Sequence, residues 1–265
     1  MLGRRPSLAR DAGDARRQPL TFDDTGDPAG KPVLYFHGGG DSRLTRHPDD
    51  SIAASLGVRL LSVDRSGPVV PGRTLLTWAR DVEGLADQLG LERFSVLGWS
   101  AGGPHALAVA GVLGDRVERA AIVGSMPPHD RLDLVAPDIR IAVRVSKTVR
   151  PYATRRLEQW GREPAPLVGT PETDEAYARG RVDSFRAGGR WLAQELAVLG
   201  RPWGFELSAI QAPVTLWWGH DDTVCVPAIA DVYAERIPTT TVRLVDGNHQ
   251  VIFPAWREIL ADFAG

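Results

Sequence analysis

Gly98-Trp99-Ser100-Ala101-Gly102-Gly103 decides how this chain is read. The apolar run Phe94-Ser95-Val96-Leu97 leads into it, and a helix-like run from Pro104 to Leu113 follows. The pattern is strand, sharp turn, helix, with a serine at the turn. G-x-S-x-G in that setting is a nucleophile elbow, which lifts the serine hydroxyl above the sheet. Glycines flank the serine because so tight a turn leaves no room for a Cβ beside it, and such turns often need a positive φ. The helix that follows directs free N–H groups and its dipole toward the serine, which favours an oxyanion there. A bare G-x-S-x-G is common by chance. The strand before it and the helix after it make it informative.

Outward from the elbow, further apolar runs read as buried strands. They are Val33-Leu34-Tyr35-Phe36, Arg59 to Val63, Ala121-Ile122-Val123, Val214 to Trp217 and Val242 to Val245. They are continuous rather than alternating, as parallel strands covered on both faces should be. Helical patterns separate them: Trp78 to Leu89 (with Val82, Leu85, Ala86 and Leu89 on one stripe), Ala228 to Ile237, and Ala255 to Phe263. Alternating β and α elements predict an α/β fold, a doubly wound and mostly parallel sheet. Ser7 to Ala12 and Pro19 to Asp23 are read as a weak leading hairpin.

The alternation breaks between Pro127 and Ala212, a stretch rich in arginine and proline that carries Trp160, Trp191 and Trp203. Phe185, Leu192, Leu196 and Leu199 suggest one amphipathic helix within it. Residues 127–212 are therefore expected to form a helical cap over the strand ends, where sites of open α/β sheets lie. Residues 18–126 and 213–265 would form the core, and 1–17 a flexible leading segment. Trp99, Trp160 and Trp191 are the expected substrate-binding aromatics, because tryptophan offers a large apolar surface.

A serine hydroxyl is a poor nucleophile until a base takes its proton. The elbow predicts the chain order serine, then acid, then histidine. Of the six histidines only His249 follows the last strand, in Asp246-Gly247-Asn248-His249, and it is the expected general base. The acid should follow the strand Val214 to Trp217. There Asp221 and Asp222 compete in Gly219-His220-Asp221-Asp222-Thr223-Val224. A carboxylate at that place fixes the imidazole tautomer and stabilises the imidazolium. His37-Gly38-Gly39-Gly40 resembles an H-G-G-G oxyanion motif. The N–H groups of Gly39 and Ala101 are the expected oxyanion donors. His37 is expected to hold that loop, His105 to bond beneath the elbow, and Cys225 to be a small buried hydrophobe. Trp217 and Trp218 should point to opposite faces of their strand, one of them into the core.

Taken together, these residues resemble the α/β-hydrolase family over roughly Gln18 to Gly265. The resemblance implies an acid after the seventh strand and a histidine after the eighth. Asp222, three residues after Gly219, matches the family pattern G-x-x-D and takes the role of acid with His249. The loop runs one residue past the common D-x-x-x-P form, reaching Pro227, which keeps Asp221 as the alternative. The family's D-R-P-G-like turn is Asp64-Arg65-Ser66-Gly67 here. Pro68-Val69-Val70-Pro71 follows, where relatives usually carry an aromatic and a small polar residue. No subfamily's substrate carries over past that difference.

Composition narrows the function classes. The 265 residues suit one domain with an insertion. A net charge of −2 gives no electrostatic reason to expect nucleic acid or an acidic membrane as partner. Lys31 and Lys147 are the only lysines, and Cys225 the only cysteine, so no intrachain disulfide forms. Met1 to Arg17 lacks the apolar centre of a signal peptide, and a cytoplasmic location is expected. No zinc-ligand motif, P-loop or dinucleotide fingerprint occurs, so neither metal nor cofactor is expected. The expected activity is cofactor-independent serine hydrolysis of a carboxylic ester, lactone or thioester with an apolar acyl part. The alternatives are a lyase or cyclase of the same fold in a secondary pathway, with His249 as acid/base, and a non-catalytic small-molecule binding protein. The sequence leaves the oligomeric state open.

Overall fold

The computed structural model describes residues 18–264. The flexible segment expected over 1–17, and the Ser7 to Ala12 arm of the leading hairpin, lie outside the described residues. The chain runs β1 (Phe22–Gly26), β2 (Lys31–Phe36), α1 (Ser51–Ser55), β3 (Val58–Val63), α2 (Leu75–Gln88), β4 (Phe94–Trp99) and α3 (Gly102–Leu113). It continues through β5 (Val117–Val123), α4 (Pro137–Thr148), α5 (Arg150–Gly161), α6 (Pro171–Ser184) and α7 (Arg190–Leu199). It closes with β6 (Val214–Gly219), α8 (Ala228–Arg236), β7 (Thr240–Val245) and α9 (Trp256–Ala261). The strands form one seven-stranded sheet in the order β1-β3-β2-β4-β5-β6-β7. All pairings are parallel except β1 with β3, where Phe22 lies opposite Val63. Pro19 to Asp23 therefore leads into an edge strand rather than half of a local hairpin.

Side-chain alternation along the strands builds two cores, one on each face. Leu34, Phe36, Val96, Ile122, Leu216 and Trp218 belong to one, with Trp78 and Val82 of α2 and Leu107 of α3. Val33, Tyr35, Leu97, Trp99, Val123 and Trp217 belong to the other, with Trp256 and Ile259 of α9. Burial on both faces is why these strands read as unbroken apolar runs. Both Trp217 and Trp218 are thus core residues, on opposite faces, rather than one of the two.

Two sequence readings need correction here. Val242 and Leu244 of β7 are 40% and 47% exposed, because β7 is the edge of the sheet and no described residue covers that part of it. Phe185 does not share a helix with Leu192, Leu196 and Leu199. It ends α6, and Gly188 and Gly189 separate it from α7. The four helices α4 to α7 fall between β5 and β6, where the alternation was seen to break. Among the described residues, no helix is long and apolar enough to cross a membrane.

Candidate active site

Ser100 sits at the carboxyl end of β4 with φ of 52°, the single positive φ outside glycine among the described residues. Holding a side chain there costs on the order of 1–3 kcal/mol and needs support from its surroundings. The support is visible on both sides: the Ser100 N–H donates to Val123 O (2.9 Å), and its carbonyl accepts from Gly103 N and Met126 N (each 3.1 Å). The glycine pattern follows from close approach. A Cβ on Gly98 would stand 2.5 Å from Gly102 O, and one on Gly102 would stand 2.1 Å from Phe36 O.

His249 follows β7 and Asp222 follows β6, so the adjacent parallel strands deliver both to the end of the sheet that carries Ser100. His249 Nδ1 lies 2.8 Å from Asp222 Oδ2, and His249 Nε2 lies 3.0 Å from Ser100 Oγ. An ionised carboxylate only accepts, so Nδ1 carries the proton and Nε2 offers its lone pair to the serine hydroxyl. Asp222 is itself fixed: Oδ1 accepts the backbone N–H groups of Val224 (2.9 Å) and Cys225 (2.8 Å). Asp221 is exposed and meets the next loop through its backbone, donating to Gly247 O (2.9 Å). Trp99 is buried beneath His249, and its Nε1–H donates to the His249 carbonyl (3.0 Å).

Gly39 follows β2 and faces the residue after the serine, since a Cβ on Gly39 would stand 3.3 Å from Ala101 Cβ. Among the described residues neither the Gly39 nor the Ala101 N–H has a backbone partner. The loop carrying Gly39 is held from behind by Arg65. Its guanidinium donates to the carbonyls of His37 and Gly38 and pairs with Glu195 of α7 (2.7 Å). His37 Nε2 accepts the Arg65 backbone N–H (3.0 Å), which leaves the Nδ1 proton for Gly38 O (2.8 Å). Burial holds the His37 imidazole well below its usual range, so it is a neutral strut and not an acid or base. His105 is also kept neutral by burial, with Nδ1 2.8 Å from Ala101 O. Cys225 is fully buried, and its thiol is pushed well up by that burial.

The Arg65–Glu195 pair is 3% and 6% exposed. Removing one partner of such a pair strands a charge, at about 3–5 kcal/mol. Glu195→Ala is therefore expected to lower unfolding free energy by about that much, read from urea melts. A loss below about 1 kcal/mol would mean that the pair does not anchor the loop.

Ser100, Ala101, Gly39 and His249 open onto a cavity of about 730 Å³. Most of its other walls come from α4 to α7, including Ile139, Ala142, Leu157, Trp160, Leu192 and Leu196. Trp99 and Trp160 border the cavity. Trp191 does not. It lies one residue before Leu192, about 100° around α7, and points into the core. There its Nε1–H donates to Ser184 O (2.8 Å) and its ring meets His37 edge-on. Trp203 is also internal, stacked on Phe205. Trp160→Ala should thus shift acyl chain-length preference toward longer esters. Trp191→Ala and Trp203→Ala should keep the parental preference and cost about 3–5 kcal/mol of stability. A chain-length panel with melts on the three variants checks this. Two buried charged residues on the cavity wall, Asp41 and Arg181, were missed. Asp41 could have been found, as the residue directly after the glycine run. Arg181 carries no signal within so arginine-rich a stretch.

A doubly wound sheet with serine, histidine and aspartate gathered at its strand ends defines a class of α/β protein. The chain belongs to the family described as alpha/beta hydrolase fold, which matches residues 31–255. It is similar to a proline iminopeptidase of Lactobacillus delbrueckii subsp. bulgaricus, 23% identical over 88% of this chain and 89% of that one. Among solved structures it is similar in fold to an enol-lactonase from Burkholderia xenovorans LB400. That likeness has a TM-score of 0.72 and 19% identity, over 92% of this chain and 95% of that one. It is also similar to the esterase RhEst1 from Rhodococcus sp. ECU1013, with a TM-score of 0.69 and 23% identity, over 92% and 94%.

Proposed function

We propose that this protein is a cofactor-independent serine hydrolase acting in the cytoplasm on a carboxylic ester, lactone or thioester. The observation that carries the proposal is the unbroken relay from Asp222 Oδ2 to His249 (2.8 Å) and on to Ser100 Oγ (3.0 Å), opening onto a mostly apolar cavity. Ser100 Oγ attacks the acyl carbonyl while His249 Nε2 takes its proton. Asp222 holds the Nδ1 proton and stabilises the imidazolium. The Gly39 and Ala101 N–H groups receive the oxyanion of the tetrahedral intermediate. His249 then gives its proton to the leaving oxygen or sulfur, and an acyl-enzyme remains. A water deprotonated by His249 attacks that acyl carbon, and the proton returns to Ser100 as the acid leaves. The helices α4 to α7 act as a cap that shapes the acyl pocket and excludes bulk water.

The test is labelling with a fluorophosphonate followed by an ester panel of graded acyl length. Labelling with ester turnover supports the proposal. Labelling without turnover of any ester favours a lyase or cyclase that uses the same oxyanion donors on an enolate. No labelling favours a binding protein. The likeness to a proline iminopeptidase adds a second candidate bond, the amide after an N-terminal proline. L-Proline 4-nitroanilide belongs in the panel for that reason.

A further inference from the structure

The acyl cavity is not apolar throughout. Asp41 and Arg181 line it together with Ser100 and His249, although they are only 1% and 4% exposed. Asp41 Oδ1 and Arg181 Nε have no hydrogen-bond partner. Buried polar groups are nearly always paired, so an unpaired acceptor and an unpaired donor on one cavity wall need an explanation. The Arg181 guanidinium donates to the Trp160 carbonyl and lies 3.9 Å from the centre of the Trp160 ring. Asp41 Oδ2 lies against Gly38, where a Cβ would stand 2.5 Å away. The wall itself is tied together, because Ser184 Oγ of α6 donates to Gly40 O (2.7 Å).

We propose that Asp41 and Arg181 form a polar subsite that takes a neutral hydroxyl group of the substrate. The inference rests on the hydrolase reading of the Ser100 site and names the substrate class more closely. A hydroxyl both donates and accepts, so a single group can bond the Asp41 carboxyl and the Arg181 guanidinium together. Charge argues the same way. Arg65 is already matched by Glu195, and Arg181, on the same cavity wall, is the other cation whose charge acts on Asp41. An ammonium group would stand beside the Arg181 guanidinium, and a carboxylate beside the Asp41 carboxyl. Burial pushes the Asp41 carboxyl up to about 8 against the pull of Arg181 and Arg65. A hydroxyl can donate to the carboxylate or accept from the carboxylic acid, so it suits either state.

The experiment compares kcat/KM for matched esters that differ by one group. Ethyl butyrate is set against ethyl 3-hydroxybutyrate, ethyl 4-hydroxybutyrate and ethyl 4-aminobutyrate. Propyl butyrate is set against 3-hydroxypropyl butyrate. At least one hydroxylated ester should exceed its parent by about tenfold or more, with the amine showing no such gain. That ratio should fall toward unity in Asp41→Leu and in Arg181→Met. Thermal melting and fluorophosphonate labelling of each variant report whether fold and nucleophile survive, and Asp41→Ala serves if Asp41→Leu does not fold. Turnover of plain esters by the wild type without a hydroxyl preference overturns the subsite and leaves the hydrolase reading standing. So does a preference for the amine, or a hydroxyl preference that persists in both variants. If no ester is turned over and no label is taken up, the hydrolase reading fails and the subsite falls with it.

Discussion

Ser100→Ala is expected to abolish fluorophosphonate labelling and to cut ester turnover by on the order of 10⁶-fold, as loss of the serine does in a well-studied protease. The fold should survive. The backbone bonds that hold the elbow run through the Ser100 N–H and carbonyl, to Val123, Gly103 and Met126, and alanine keeps them all. Alanine also inherits the same positive φ, so the strain of the turn is not relieved. The thermal midpoint should therefore stay within a few degrees while kcat collapses. The residual rate need not be zero, because oxyanion donors and binding alone can leave about 10³- to 10⁴-fold over water. Near-parental turnover in a folded Ser100→Ala variant would remove the serine from the mechanism.

Asp222→Asn should cost about 10⁴-fold in kcat, and Asp221→Asn little. The asparagine can still accept from the Val224 and Cys225 N–H groups, so the loop keeps its shape. What changes is the group 2.8 Å from His249 Nδ1. An amide nitrogen there donates rather than accepts and drives the imidazole into the tautomer that cannot take the serine proton. Asp221 is exposed and contributes its backbone N–H to Gly247 O, a bond that the substitution leaves intact. Measuring kcat for both variants separates them. A crippled Asp221→Asn beside an active Asp222→Asn would mean that the acid lies one residue earlier.

The alternation of strands and helices was legible because β2 to β6 are covered on both faces and so read as unbroken apolar runs. β7 shows where that inference weakens. Val242 and Leu244 look like core residues in the chain but lie half exposed at the sheet edge, and an edge position is set by strand order rather than by composition. The Ser100, Asp222 and His249 positions were legible for a related reason. Each lies just past the end of an apolar run, and a parallel sheet brings the carboxyl ends of its strands together. The cavity walls were not. On a helix, neighbouring residues point about 100° apart, so Trp191 and Leu192 have opposite fates for no reason visible in their identity. Asp41 and Arg181 stand 140 residues apart in sequence, and only the docking of α6 onto the Gly38–Gly40 loop makes them face one cavity.

Ser100 is the proposed nucleophile of the Asp222–His249–Ser100 relay. Mass-spectrometric mapping of the adduct left by a fluorophosphonate tests that role most directly. One equivalent of phosphonate should be found on the peptide that carries Ser100, with none on that peptide in Ser100→Ala and slower uptake in Asp222→Asn. Absence of any adduct on the folded protein, or an adduct confined to another residue while esters are still hydrolysed, would rule Ser100 out as the nucleophile.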